Sequence, residues 1–321
     1  VKYLENLSLT VYKIIRLWHE LCFFLTMALT ERNIIFNSFD YSKSGDQSYR
    51  SLNRKSFKYF DDSNQKEYET ISRWHQYGHL FEADIGNFLV RIIKKEDKCV
   101  DVGANVGMHA LLMASLADKG LVICFEPNEI CFKTLKKNIE LNNFTNIELK
   151  KKLIGELSGE DSFFHASDND WGTSYALKKI EDETLNWEKL KTYTLDAELK
   201  NEKKIKIIKI DVEGFEGKVL RGAKELLEND CIRYWIVEYA PHCLKRNNDS
   251  LDTIRNLMER HGLEMYILDP SGGLPKFIPN RIQLQTHWIP NLLFTKTKHL
   301  NEDWIIEDTQ SLCQPRNLWP Y

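Results

Sequence analysis

The sequence predicts an α/β protein: a doubly wound, mostly parallel seven-stranded sheet preceded by an N-terminal helical extension. Three observations lead there. From residue 78 onward, short apolar runs rich in Val and Ile alternate with segments of helical spacing, the pattern of a parallel sheet covered on both faces. Four of those runs close on a carboxylate, at Asp101, Glu126, Asp211 and Glu238. The first run also enters its helix through two glycines four residues apart, Gly103 and Gly107, in VDVGANVGMHALLMA.

The elements follow in order. Residues 1–77 read as an extension and linker, 78–298 as the main domain and 299–321 as a tail. Over residues 1–30 a stripe through Leu4, Leu7, Val11, Ile14 and Trp18 recurs in steps of three and four. Its flanks, Ile15, Leu17, Cys22 and Phe24, are also apolar, so it is wider than a two-stranded zipper. A helix packed on the main domain is the simplest reading. A homodimer helix or a peripheral membrane contact are the alternatives. Residues 38–74 are polar and aperiodic, with a loose basic cluster at Arg50, Arg54, Lys55 and Lys58.

Helical spacing through Phe81, Ile85, Phe88, Leu89 and Ile92 leads into strand Cys99–Val102. Helix Met108–Leu116, strand Val122–Phe125 and helix Ile130–Leu141 follow. The run Ile147–Lys151 alternates apolar and polar residues and suits an edge strand. Residues 161–196 are irregular and suggest an inserted hairpin. Strand Ile205–Ile210, helix Lys218–Leu227, strand Ile232–Val237, helix Leu251–His261 and strands Leu263–Leu268 and Asn291–Thr297 complete the sheet.

Composition removes several classes. A net charge of −3 gives no global attraction for nucleic acid. No apolar run approaches the roughly 18 residues of a membrane span. The run Leu21–Leu29 is followed by no small-residue cleavage site, so a secretory leader is not expected. The seven cysteines form no CxxC pair. They read as small hydrophobes in a reducing, cytoplasmic compartment, with no metal site expected.

In a parallel sheet the strand-end acids share one edge, where ligands of open α/β sheets bind. A pyrophosphate seeks a helix N-terminus free of acids, and its GxGxxG fingerprint is missing here. Glu126, at the end of the second strand, is placed to accept hydrogen bonds from a ribose diol. The expected ligand therefore has a ribose, carries positive charge and lacks phosphate, as S-adenosylmethionine does. Glycine at 103 and 107 would let it lie against the backbone, with Asp101 facing its ammonium. The plainer alternative is that the glycines make a closely packed turn and that Asp101 or Asn105 caps the helix.

The second informative stretch is IKIIKIDVEGFEGKVLRGAKELL, residues 205–227. Asp211 and Glu213 fall where the methyl group would sit, whereas Glu216 complements the dipole of the following helix. An Asp-x-Glu pair suits magnesium, but the sequence offers no third ligand. Glu238 and His242 follow the fifth strand as further candidate bases. His109 reads as a packing residue, and Trp171 and Tyr175 as pocket wall or core.

Taken together, VDVGANVGMHALLMA, VICFEPNEICFKTLKKNIELNN, IKIIKIDVEGFEGKVLRGA and IPNLLF resemble the FkbM family of class I S-adenosylmethionine-dependent methyltransferases, over about residues 80–298. The resemblance implies O-methylation of a small molecule, sugar or glycolipid. It implies cofactor contacts from Asp101, Gly103, Asn105 and Gly107, and from Glu126, Pro127 and Asn128 on the ribose and adenine side. Asp211 and Glu213 match the family's DxEG. Where the family often has an Ala-Leu-Ser-Asp-like turn beside adenine, this chain reads Leu153-Ile-Gly-Glu156, which makes Leu153 an adenine-side candidate. The stretch Asp170-Trp-Gly-Thr-Ser174 resembles a Gly-Ser turn near the substrate. A macromolecular acceptor and a catalytically inactive scaffold are the competing readings. An amino-methyltransferase acting on nucleobases would show an Asn-Pro-Pro-Tyr-like segment where Asp211-Val-Glu-Gly214 stands.

Overall fold

The computed structural model describes residues 82–164, 174–177, 187–269, 273–279, 284 and 289–303, and the backbone of 46–50 and 56–60. The stripe over 1–30, the side chains of the basic cluster and Trp171 lie outside the described residues.

Strands β1 (Asp46–Arg50) and β2 (Ser56–Phe60) pair as an antiparallel hairpin. Helix α1 (Ala83–Ile92) precedes β3 (Lys98–Val102), α2 (Met108–Leu116), β4 (Leu121–Phe125), α3 (Glu129–Leu141) and β5 (Ile147–Lys150). An insertion follows, comprising β6 (Leu153–Ile154), β7 (Gly159–Phe164), β8 (Tyr175–Leu177) and β9 (Trp187–Tyr193). The short helix α4 (Leu195–Glu198) leads to β10 (Ile205–Ile210), α5 (Glu216–Arg221), α6 (Lys224–Glu228) and β11 (Ile232–Glu238). Helices α7 (Pro241–Arg246) and α8 (Leu251–Arg260) come next. The described chain closes with β12 (Glu264–Ile267), β13 (Lys276–Phe277), β14 (Asn291–Thr295) and α9 (Thr297–Asp303).

The main sheet has eight strands in the order β13-β12-β14-β11-β10-β3-β4-β5. From β11 to β5 all neighbours are parallel. Strand β14 runs antiparallel between β11 and β12. The chain winds outward from β3 through β4 to β5, then returns to β10 and winds the other way. The order therefore reverses between β3 and β10. The sheet has one strand more than the expected seven because the two-residue β13 pairs with the edge of β12. So short a strand carries no readable period. Strand β5 is an edge, as its alternating pattern implies.

Alternation along each strand supplies two cores. Cys99, Val122, Cys124, Ile207 and Ile236 face one layer, with Ile85 and Leu89 of α1 and Leu111 of α2. Val100, Ile123, Phe125, Ile208 and Trp235 face the other, with Val219, Leu226 and Met258 of α5, α6 and α8. Helix α2 is buried along its whole length, which is why it is apolar all round. Cys99, Cys124, Cys131 and Cys243 are buried free thiols.

Two readings change. The insertion is a four-stranded sheet, β6-β9-β7-β8, rather than a hairpin. The helix expected over 218–227 is two helices broken at Gly222, where a Cβ would stand 2.1 Å from the Gly155 carbonyl oxygen. Close approach of the insertion, which no local signal reveals, sets that break. Among the described residues, no helix is long and apolar enough to cross a membrane.

Candidate active site

A cleft of about 1070 Å³, including its open mouth, lies over the carboxyl ends of β3, β4, β10 and β11. This is the reversal point of the strand order, where the loops on either side diverge. Its walls include Gly103, Asn105, Gly107, Glu126, Pro127, Asn128, Leu153, Asp211, Glu213 and Glu238. Ten of the twelve candidate residues named from the sequence thus meet in one place.

Two do not. Asp101 is fully buried and does not reach the cleft. It lies within β3, in register with Lys209 of β10, and their side chains share a face, with Lys209 Nζ 3.7 Å from the carboxylate. Asp101 thus answers a buried lysine rather than a ligand's ammonium. Burial and the neighbouring Asp211 raise its carboxyl to about 6 against the pull of Lys209. His242 is exposed and also lies off the cleft. Helix α7 starts at Pro241 and turns its inner face, with Cys243, Leu244 and Asn247, to the protein. His242 falls on the outer face.

The two glycines are explained by the protein itself. Gly103 has φ 78, and a Cβ there would meet the Asp211 carbonyl oxygen at 1.8 Å. Gly107 has φ 97, and a Cβ would meet Leu135 at 2.2 Å. Both positions demand glycine to close the turn, so the plainer reading holds for each, and both line the cleft as well. Between them Asn105 adopts φ 49 and donates its backbone N–H to Glu126 Oε2 at 2.7 Å. Glu126 Oε1 accepts the Asn128 N–H at 2.8 Å. Asn128 caps α3, its Oδ1 accepting from the Ile130 and Cys131 amides, and its Nδ2 donates to Ser174. Glu126 is therefore the hub joining the glycine loop to the start of α3.

The DVEG loop is shaped by Glu216. Its Oε1 accepts the Val212 and Gly214 amides, each at 3.1 Å. That bonding, more than a dipole effect, accounts for a buried acid there. Glu213 takes φ 53, a costly conformation for a side-chain-bearing residue. Its neighbour Gly214 packs on the Cys243 carbonyl, and Cys243 Sγ lies 3.4 Å from Glu213 Oε2. Asn247 Nδ2 donates to the Gly214 and Ala176 carbonyls and so ties the loop to the small sheet. Burial, with help from Asp211, raises the Glu213 carboxyl to about 7.

Two cleft residues escaped the sequence reading. Lys209 Nζ donates to Asp211 Oδ2 at 2.9 Å, and its ammonium holds its proton firmly. Burial opposes that charge, but Asp211, Asp101 and Glu82 outweigh it. The signal was a lysine inside a buried strand, two residues before an acid and therefore on its side. Glu82 lies before α1 with φ 45. Its carboxylate is 3.5 Å from His109 Nε2 and close to Asp211 and Glu238. Burial first, then Asp211, pushes its carboxyl up to about 8. No motif marks Glu82, because its position depends on how α1 packs. His109 is buried and its imidazole is held neutral, chiefly by burial and then by Lys209.

The doubly wound sheet has the Rossmann-like fold of class I methyltransferases. Residues 101–265 match the sequence profile of the methyltransferase FkbM domain, just over half of the chain. The chain belongs to that family. It is 25% identical over 197 residues to Methyltransferase 1 of Beauveria bassiana, covering 55% of this chain and 76% of that one. It is 31% identical over 160 residues to the hexuronic acid methyltransferase AglP of Haloferax volcanii. That match spans 49% of this chain and 62% of AglP. A precorrin-6y C5,15-methyltransferase structure from Geobacter metallireducens aligns with TM-score 0.38 and 10% identity, over 67% of this chain and 87% of that one.

Proposed function

We propose that this methyltransferase uses S-adenosylmethionine and methylates a hydroxyl of a sugar, glycolipid or other small molecule. The observation that carries the reading is the charge of the cleft. Glu82, Glu126, Asp211, Glu213 and Glu238 line it against two lysines, Lys152 and Lys209. A site walled by carboxyls, whose protons a bound cation displaces, favours a cation and disfavours a diphosphate.

The residues fit the cofactor. Glu126 accepts the Asn105 and Asn128 amides and lines the cleft at the end of β4, where a carboxylate suits a ribose diol. Phe125, Leu153, Ile154 and Phe163 give the same cleft an apolar side suited to a flat base. When bound, S-adenosylmethionine supplies an electrophilic methyl group on a sulfonium. The protein's part is to hold the acceptor hydroxyl in line with that methyl, worth up to about 7–11 kcal/mol. It must also take the hydroxyl proton, worth roughly 10²–10⁴-fold. Asp211, Glu213 and Glu238 line the cleft and are the proposed bases, whereas His242 lies off it. The similarity to a hexuronic acid methyltransferase favours a glycan acceptor. The catalytic unit is proposed to be residues 78–298, acting in the cytoplasm.

The test is calorimetry followed by an acceptor screen. The protein should release heat with S-adenosylmethionine and none with NAD. With labelled cofactor it should transfer the methyl to a sugar, uronic acid or glycolipid. Absence of cofactor binding would leave a scaffold, and transfer only to protein or nucleic acid would replace the acceptor class.

A further inference from the structure

We propose that Glu82, Asp211 and Glu238 form a binding site for a hard divalent cation of the magnesium class in the floor of the cleft. The site deepens the function proposed above. Only its role toward the acceptor rests on that reading; its occupancy does not.

Carboxylate oxygens of the three residues lie within 4.8 Å of one another, an arrangement one ion can bridge. They converge from three elements. Asp211 and Glu238 end the neighbouring parallel strands β10 and β11. Glu82 arrives from the entry to α1, which is pinned beside them: Asn291, in register with Glu238, donates its Nδ2 to Asp84 Oδ2 at 3.0 Å. The left-handed backbone of Glu82, φ 45, is one that a residue with a Cβ rarely adopts. The fold sustains that conformation while aiming a third acid at two others.

A second observation points to a ligand. Glu238 is 9% exposed and lines the cleft, and its Oε2 has no hydrogen-bond partner among the described residues. A buried carboxyl oxygen left without a partner is costly, and a cation that displaces the carboxyl proton satisfies it. Lys209 is not that cation for Glu238, since its ammonium sits at 2.9 Å from Asp211 and 3.7 Å from Asp101. The donor set is oxygen only, the chemistry of magnesium, manganese or calcium rather than of zinc or copper. Three protein ligands leave coordination positions for water or for an acceptor oxygen.

The full chain, free of cofactor, is titrated with Mn²⁺ and followed by electron paramagnetic resonance, with Mg²⁺ as competitor. One Mn²⁺ should bind, be displaced by Mg²⁺ and raise the melting temperature. Glu82→Gln and Glu238→Gln should each weaken Mn²⁺ binding about tenfold or more. Because the two lie on different elements, misfolding of one variant, seen in its metal-free melt, leaves the other to decide. No binding at about 5 mM Mn²⁺, or unchanged affinity in a folded variant, overturns the site. S-adenosylmethionine calorimetry is the separate arm. Cofactor binding without Mn²⁺ binding sinks the cation site and spares the function; Mn²⁺ binding alone does the reverse. If both variants weaken the cofactor and leave Mn²⁺ untouched, the trio serves the cofactor's own cation and the proposal falls.

Discussion

Glu126 does two jobs at once. It joins the glycine loop to the cap of α3 through two backbone amides, and it lines the cleft. Glu126→Ala should weaken S-adenosylmethionine binding tenfold or more, at ~2 kcal/mol for lost charge-assisted bonds. Unchanged affinity in calorimetry would remove the ribose assignment. Asp211→Ala and Glu213→Ala should lower kcat more than cofactor affinity; the reverse pattern in steady-state kinetics and titration would demote both as bases. Gly103→Ala should lose more than about 2 kcal/mol of stability, since it combines a left-handed backbone with a direct clash on the Asp211 carbonyl. A denaturant melt within error of the parent would show that the loop relaxes freely.

At the scale of elements, caps and ties place the site. Asn128 bonds two amides at the start of α3. Its replacement by Ala should cost about 1 kcal/mol and lower the melting temperature by roughly 2–4 °C in a domain of this size. Most strand and helix spans were legible in the sequence, because period-2 and period-3.6 patterns are local. The exceptions have non-local causes. The break at Gly222 exists because β6 and its following turn pass within touching distance. The short α7 places Asn247 to hold Gly214, and its sequence PHCLKR is too brief to show a period. Strands β6, β7, β8 and β9 stabilise one another by pairing that no single segment announces.

For the whole molecule, acids collected at one edge set a pH dependence. Glu82, Glu213, Glu216 and Asp101 have carboxyls raised to about 8, 7, 7 and 6, each chiefly by burial, and burial also raises that of Glu238 well above its usual value. A folded-state value above the unfolded one means the native protein binds more protons. Its contribution to stability is present below about pH 4 and is lost as pH rises toward 8. The ligand-free protein should therefore melt higher near pH 5 than near pH 8, as measured by calorimetry at constant ionic strength. A rise in melting temperature over that window would contradict the burial of these acids. At the opposite edge the charges are compensated: Asp303 of α9 meets Lys206 at 2.6 Å, Arg233 at 2.5 Å and the Tyr234 hydroxyl at 3.0 Å.

The sequence by itself determined the sheet, the edge on which its acids gather and the family to which the chain belongs. Each of these depends on residue order within a few turns or strands. Tertiary structure decided which acids reach the cleft. It turned Asp101 inward to a lysine on the adjacent strand and left His242 on the outside of a helix. It also carried Glu82 from well over a hundred residues away to within ion-bridging distance of Asp211 and Glu238. Side-chain direction at a strand end and the docking angle of a helix are set by packing against distant neighbours, and no local spacing encodes them.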